Sequence, residues 1–589
     1  MEFEGSFMYR LEHPNPQFER KTFTNLNGEW EFELGKRKDL INKPLASQIQ
    51  VPFCVESKLS GVENTDFVPD CIYSKMITVT KNDLTGRLVL HFGAVDYFAV
   101  VYVNGKKVKK HVGGYTAFEA DITSYVSLGE NRITVLVHDD VRDCVTSGKQ
   151  SKRRNSYGCF YTRCTGIWQT VWLEKTPKQY IKNFKFYPCL ADSSLKVELS
   201  TEGCGNAKIQ IYFDGRKVGE AEGNVDYKGT FTAMLSETHL WDLGKGNLYD
   251  VVLTFGEDEV KSYFGLREVR YEGRKFLLNG KSVFQRMILD QGYYPEGIYT
   301  AKDLEQLRKD IQLAKALGFN GIRLHQKVFE QRYLYECDKE GLMVWCEFPS
   351  WGIKYDNISF LGEFIAQWNE TVEQYFNHPS IITWCPLNEA WEDLDNSKLI
   401  RDVRFINSVY QTTKVLDTTR PCVDVSGGYH GLQTDLYDFH CYETAEKLKA
   451  YLDKLQDENV LDVPLLYAEN EDLRYGGALP ISVSEFGGIA FGNFADNGTQ
   501  EVNRCAVESE DSWGYGKVEN KEERFLERYA RLVELIISYD KISGFCYTQL
   551  YDIEQEQNGL FTYHRENKFS EETIKEIVRL NQLIAAIEK

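Results

Sequence analysis

The chain lacks a surplus of basic residues: 88 Asp and Glu stand against 69 Lys and Arg, a formal net charge of −19. That sign disfavours nucleic acid and anionic membranes, both of which attract Lys/Arg surfaces. No apolar run approaches the roughly 18 residues of a membrane span. The opening MEFEGSFMYRLEHPNPQFER carries neither a basic leader region nor an apolar segment behind one. The expectation is a cytoplasmic protein that binds neither membrane nor nucleic acid. There is also no CxxC pair among the 14 cysteines. Cys337, Cys346, Cys385, Cys441 and Cys546 sit in apolar stretches, so buried free thiols are expected in place of a disulfide framework.

What is present is enough apolar material for several cores. A length of 589 residues exceeds one ordinary domain, and a hydrophobic content of 42% excludes disorder. The 35 Tyr and 10 Trp suit a protein that stacks on sugar faces, and equally one that fills β-strands. Residues 1–178 read as all-β. Arg87–Phe92 and Tyr97–Val103 are strand-like, and Asn104-Gly105 after the second is a hairpin signal, because a type I′ turn needs φ > 0 at both central residues. Two packed sheets forming a jelly roll accommodate this pattern. Residues 179–268 repeat it on a smaller scale, with a second turn at Asp214-Gly215, and predict an immunoglobulin-like sandwich.

From residue 269 to 589 strands alternate with helices. Eight candidate strands are Ser282–Leu289, Gly321–His325, Leu342–Phe348, Ile381–Glu389, Pro421–Ser426, Tyr437–Tyr442, Ile481–Phe486 and Ile542–Leu550. Between the first two, Leu304, Leu307, Ile311, Ala314 and Leu317 step by three and four, and Gly318 ends the helix. The arithmetic is that of a (β/α)₈ barrel. No glycine-rich phosphate loop follows the first strand, which argues against a doubly wound nucleotide-binding sheet. Barrel chemistry gathers at the C-terminal ends of strands. Those ends hold Asp290, Arg323, His325, Glu347, Asn388, Glu389, His440, Tyr442, Glu485 and Tyr547. Carboxylates at the ends of the fourth and seventh strands can face each other across the mouth, as glycosidic cleavage requires. Taken alone, a glutamate at a strand end is more often a cap or a salt-bridge partner.

Five stretches make the pattern specific. NHPSIITWCPLNE (Asn377–Glu389) resembles the acid/base signature of glycoside hydrolase family 2, and SEFGG (Ser484–Gly488) resembles its nucleophile segment. TGIWQTVWLE (Thr165–Glu174), FLLNGKSVF (Phe276–Phe284) and LAKALGFNGIRLH (Leu313–His325) match as well. The resemblance spans nearly the whole chain in the order jelly roll, immunoglobulin-like domain, catalytic barrel. It implies a retaining exo-β-glycosidase with Glu485 as nucleophile and Glu389 as acid/base. Asn388 would contact the sugar 2-OH, Tyr442 and Arg323 would hold the nucleophile, and His325 and His440 would line the subsite. Tyr547 would provide an aromatic platform, with Asp290, Trp351, Trp391 and Trp513 as further candidates. At about 5 Å separation and an effective dielectric of about 20, two carboxylates repel by roughly 3 kcal/mol, so one keeps a proton near neutral pH.

Departures from the family's pattern bear on substrate. His325 is followed by Gln326-Lys327 where Tyr-Pro is frequent, so that wall of the subsite differs. EFPSWG (Glu347–Gly352) lacks the magnesium-binding histidine of the larger β-galactosidases, so neither metal nor other cofactor is expected. In EQEQNG (Glu554–Gly559), Glu556 and Asn558 replace the Asn and Lys that hold a uronate in glucuronidases. Glu556 would repel a uronate, with Lys568 or Arg565 offsetting it in part. A β-galactosidase is therefore the leading expectation. The alternatives are a β-glucuronidase or β-galacturonidase, an α-L-arabinopyranosidase, and, from another class, a carbohydrate-binding protein without turnover. The partner is a carbohydrate substrate, and a homo-oligomer is compatible with the sequence.

Overall fold

The computed structural model describes residues 9–140, 145–355, 357–390, 402–428, 430–456, 479–493 and 509–589. At the N-terminal end an antiparallel six-stranded sheet runs Ser47–Val51, Gly28–Leu34, Asp70–Val79, Gly129–His138, Phe98–Val103, Lys106–Val112. It packs on a four-stranded sheet of Thr24–Asn25, Val171–Thr176, Arg87–Phe92 and Phe118–Asp121. Strand alternation sends Trp30 and Phe32 of one sheet against Leu90 and Phe92 of the other, which builds the jelly-roll core. Asn104 and Gly105 take φ of 49° and 77°, the positive pair expected of the hairpin.

The immunoglobulin-like sandwich is organised by one long strand, Ser194–Phe213. A register shift between Ser200 and Cys204 bends its ladder. Its first half pairs with Tyr180–Cys189 and its second with Tyr249–Phe255, so Val197, Leu199, Ile209 and Ile211 meet Leu253 and Phe264 in one core.

The C-terminal domain is a TIM barrel. Seven parallel strands lie in the order Ile381–Cys385, Met343–Glu347, Gly321–Leu324, Gln285–Asp290, Ile542–Thr548, Ile481–Gly487, Tyr437–Cys441. The fifth expected strand, Pro421–Ser426, is reduced to two parallel bridges, Trp384 to Cys422 and Asn388 to Ser426. Pro421 has no N–H for a ladder. The Cys422 and Asp424 amides donate instead to Asp435 Oδ2 at 2.9 Å and Thr434 Oγ1 at 3.3 Å. The fourth strand is shorter than expected, stopping at Cys385 before Pro386, so Asn388 and Glu389 stand on the loop beyond it. The first barrel helix, Leu304–Ala316, is capped by Asp303, which accepts from the Gln306 amide, and it buries Leu307, Ile311 and Ala314.

Tyr115, Tyr161 and Trp168 of the jelly roll share a core with Tyr293, Tyr294 and Tyr299, which follow the first barrel strand. The jelly roll is thereby seated at the C-terminal mouth of the barrel. Among the described residues every cysteine is a free thiol and only Cys189 and Cys204 are exposed. No helix among them is long and apolar enough to cross a membrane.

Candidate active site

Parity along the strands decides what reaches the barrel axis. In Gly321–Leu324 the side chains of Ile322 and Leu324 join the outer hydrophobic layer, so Arg323 points inward. In Ile481–Gly487 the ladder steps from Phe439–Val483 to His440–Glu485 and skips Ser484, a bulge that aims Glu485 into the mouth. Glu485 Oε1 accepts from Arg323 Nη1 at 2.9 Å and lies 3.3 Å from His440 Nε2 and 3.8 Å from His325 Nδ1. Glu485 Oε2 accepts from the Tyr442 hydroxyl, whose ring is stacked at 3.6 Å on Tyr515. Burial alone would raise the Glu485 pKa. His440 first, then Arg323, His325 and Lys149, overcome it and hold the carboxyl at about 2.

Glu389 reaches the same point from the opposite side. It adopts a left-handed φ of 50°, a conformation that costs a non-glycine residue roughly 1–3 kcal/mol. Its Oε1 lies 2.6 Å from His440 Nδ1. His440 thus joins the two carboxylates, which approach each other within 4.8 Å. Nε2 also lies 3.2 Å from the Ser426 hydroxyl, and the Glu389–Nδ1 contact holds one proton that either partner can carry. Burial opposes charge on the ring, but Glu485 and Glu389 raise the His440 pKa. The three donor atoms converge closely enough to suit a cation as well. The Arg323 guanidinium on the same carboxylate disfavours one.

Arg323 is the hub of the floor. It is fully buried, donates from Nε to Glu347 Oε2 at 3.0 Å, and gives Nη2 to Asn388 Oδ1 at 2.7 Å. The Asn388 amide is thereby oriented, and its buried Nδ2 finds no acceptor among the described residues. His325 leans on Glu347 at 3.1 Å, and burial, with Lys149 next, depresses its pKa well below the usual value, so the ring is neutral. Trp351 is half-buried over the site, with Nε1 3.2 Å from the Asn388 carbonyl.

Three expected site residues lie elsewhere. Tyr547 is one position off the inward parity of its strand. Cys546 joins the barrel interior, while the Tyr547 ring packs outward at 5.0 Å from Tyr529 and 5.5 Å from Phe486, so it provides no platform. Asp290 also faces outward, accepting from the Tyr551 and Tyr333 hydroxyls and the Gly292 amide. Trp513 is 4% exposed and its indole donates to the Gly158 carbonyl at 2.7 Å, a clasp on the jelly-roll arm. His440, expected to line the subsite, is instead the bridge between the glutamates. Trp391 lies outside the described residues.

The structure adds roles for Glu347 and Lys149 that sequence reasoning did not assign, and it sets Glu556, expected to repel a uronate, next to Lys149. Glu347 is the buried counter-charge of Arg323, and its place at a strand end was the available signal. Lys149 comes from the jelly roll, in an arm whose Ser147 and Gly148 amides both donate to the Trp351 carbonyl, at 3.2 and 3.0 Å. Glu556 is buried beside it, accepting from the Tyr161 hydroxyl and from Asn558 Nδ2.

Family models match residues 28–472 in three adjoining segments. The sugar binding domain of glycosyl hydrolases family 2 matches residues 28–177, a second family 2 domain residues 179–267, and the family 2 TIM barrel domain residues 269–472. The chain belongs to glycoside hydrolase family 2. A Formosa agariphila relative is 27% identical over 398 residues, 64% of this chain and 47% of that protein, so the match spans about half of its length. The β-glucuronidase of Streptococcus agalactiae is 24% identical over 503 residues, 75% of this chain and 82% of that one. The solved β-D-glucuronidase of Dictyoglomus thermophilum shares the fold with a TM-score of 0.77 at 22% identity, covering 98% and 100% of the two chains.

Proposed function

We propose that this family 2 member is a retaining exo-β-glycosidase that removes terminal β-glucuronosyl residues by double displacement. The approach of the Glu389 and Glu485 carboxylates within 4.8 Å carries the mechanistic part. Retention goes with a gap of about 5 Å, whereas inversion needs about 6.5–9.5 Å to admit a water. Glu485, held ionised, attacks the anomeric carbon as Glu389 passes its proton to the departing glycosidic oxygen. The ester that forms removes the charge of Glu485. Glu389, now a carboxylate, takes a proton from water, and the hydroxide oxygen attacks the same carbon, releasing Glu485. Asn388 Nδ2, the unpaired buried donor, suits the sugar 2-OH, and Trp351 suits a sugar face.

The glycone reading rests on the relatives' names and replaces the galactose expected from sequence, for which the relatives give no support. A panel of aryl β-glucuronide, β-galactoside, β-mannoside and α-L-arabinopyranoside tests it, with the glucuronide expected to have the highest kcat/KM. Preference for a neutral glycone overturns the glycone, and turnover of none returns the chain to a binding role.

A further inference from the structure

A uronate carboxylate needs a cation, and those the sequence offers are committed. Lys568 Nζ donates to Asp552 Oδ1 at 2.7 Å. Arg565 is bound through Nε and Nη2 to Asp310 at 2.9 and 3.0 Å and lies 3.5 Å over the Tyr551 ring. A further cation at the barrel mouth, Lys149, belongs to a different domain. Lys149 is 8% exposed, with Nζ 5.2 Å from the centroid of the Trp351 ring. Its backbone is fixed on both sides: its carbonyl accepts from the Tyr161 amide at 2.8 Å, and the Ser151 amide donates to the Tyr161 carbonyl at 2.7 Å.

Among the described residues the ammonium makes no ion pair or hydrogen bond, an arrangement that is costly unless a ligand completes it. We propose that Lys149, carried by the jelly roll into the barrel mouth, binds the C5 carboxylate of the glycone and so determines which sugar the site accepts. This rests on the glucuronide reading above. A desolvated ammonium is matched by an anion better than by a hydroxyl, which would leave its charge uncompensated. Burial would strip Lys149 of its proton, but Glu556 foremost, with Glu485 and Glu389, raises its pKa and keeps it charged. The Glu556 oxygens are engaged by the Tyr161 hydroxyl and Asn558 Nδ2, with no hydrogen bond to Lys149. Burial also pushes the Glu556 carboxyl up, which lessens the repulsion a uronate meets there.

The test is the ratio of kcat/KM for aryl β-glucuronide over aryl β-galactoside in the full chain and in K149M. Loss of one charge-assisted contact should lower that ratio roughly 10- to 100-fold, and K149R should restore part of it. Equal losses on both substrates in K149M overturn the inference alone, since Lys149 would then only tune the glutamates. A wild-type chain active on galactoside and inert on glucuronide overturns the glycone reading and this inference together. Should K149M fail to fold, K149Q gives the same ratio with a side chain of similar length.

Discussion

A carboxylic acid as well sealed from water as Glu485 keeps its proton unless its neighbours supply enough positive charge, and here His440, Arg323 and Lys149 do. His440 makes the largest contribution, which yields a prediction separate from loss of fold. Glu485 must be ionised to attack, so activity falls as pH drops through its pKa. In H440Q that pKa rises, and the acid limb of kcat/KM should move to higher pH. A dinitrophenyl glycoside, whose leaving group departs without protonation, isolates this limb from Glu389. An acid limb unchanged in H440Q contradicts the role given to the imidazole. At this scale the sequence was informative about position where a motif lies on a strand or just beyond one, as at Arg323, Asn388, Glu389 and Glu485. It misled at Tyr547 and Asp290 because a one-residue change of parity moves a side chain from the axis to the helix layer.

Elements fix these side chains, and the fifth strand is the least regular of them. Its replacement for a ladder is polar: His430 lies buried between Asp424 Oδ1 at 2.6 Å and Asp438 Oδ1 at 3.2 Å. Burial opposes charge on the ring, yet Asp424 foremost and then Asp438 push its pKa from 6.5 up to about 10. A folded pKa above the unfolded one stabilises fully below about pH 6.5, and the contribution is lost as pH rises toward 10. The urea midpoint should therefore fall between pH 7 and pH 10 more steeply in wild type than in H430F. Parallel slopes in the two proteins contradict the buried imidazolium. The seven regular strands were legible because apolar β-rich runs ended in polar residues. The fifth was read as a strand too, but its irregularity was not legible, since the side chains that take its amides, Asp435 and Thr434, lie about ten residues downstream.

On the scale of the whole molecule, the barrel mouth is completed by the jelly roll. Nothing in the sequence near Lys149 marks it, because its surroundings, Trp351 and Glu556, are hundreds of residues away and belong to another domain. Gly148 lets the arm lie close: its φ is 59°, and a Cβ there would stand 2.3 Å from the Gln326 carbonyl oxygen. G148V should displace the arm, lowering kcat/KM on the preferred glycoside by at least ~10-fold. Thermal unfolding should shift by only a few degrees, as expected for ~1–3 kcal/mol of local strain. Unchanged kcat/KM in G148V would mean that the arm does not contribute to the site.

The most direct measurement of the central claim is mass spectrometry of the enzyme after incubation with 2-deoxy-2-fluoro-β-glucuronosyl fluoride. Fluorine at that carbon slows breakdown of the glycosyl-enzyme more than the activated leaving group allows its formation to slow, so the ester accumulates. The account predicts one fluoroglucuronosyl adduct per chain, on the peptide bearing Glu485, and none in E485Q. An adduct on Glu389 or any other residue contradicts it. So does turnover with inverted configuration and no adduct, which would mean that the two carboxylates work across a wider gap than the structure shows.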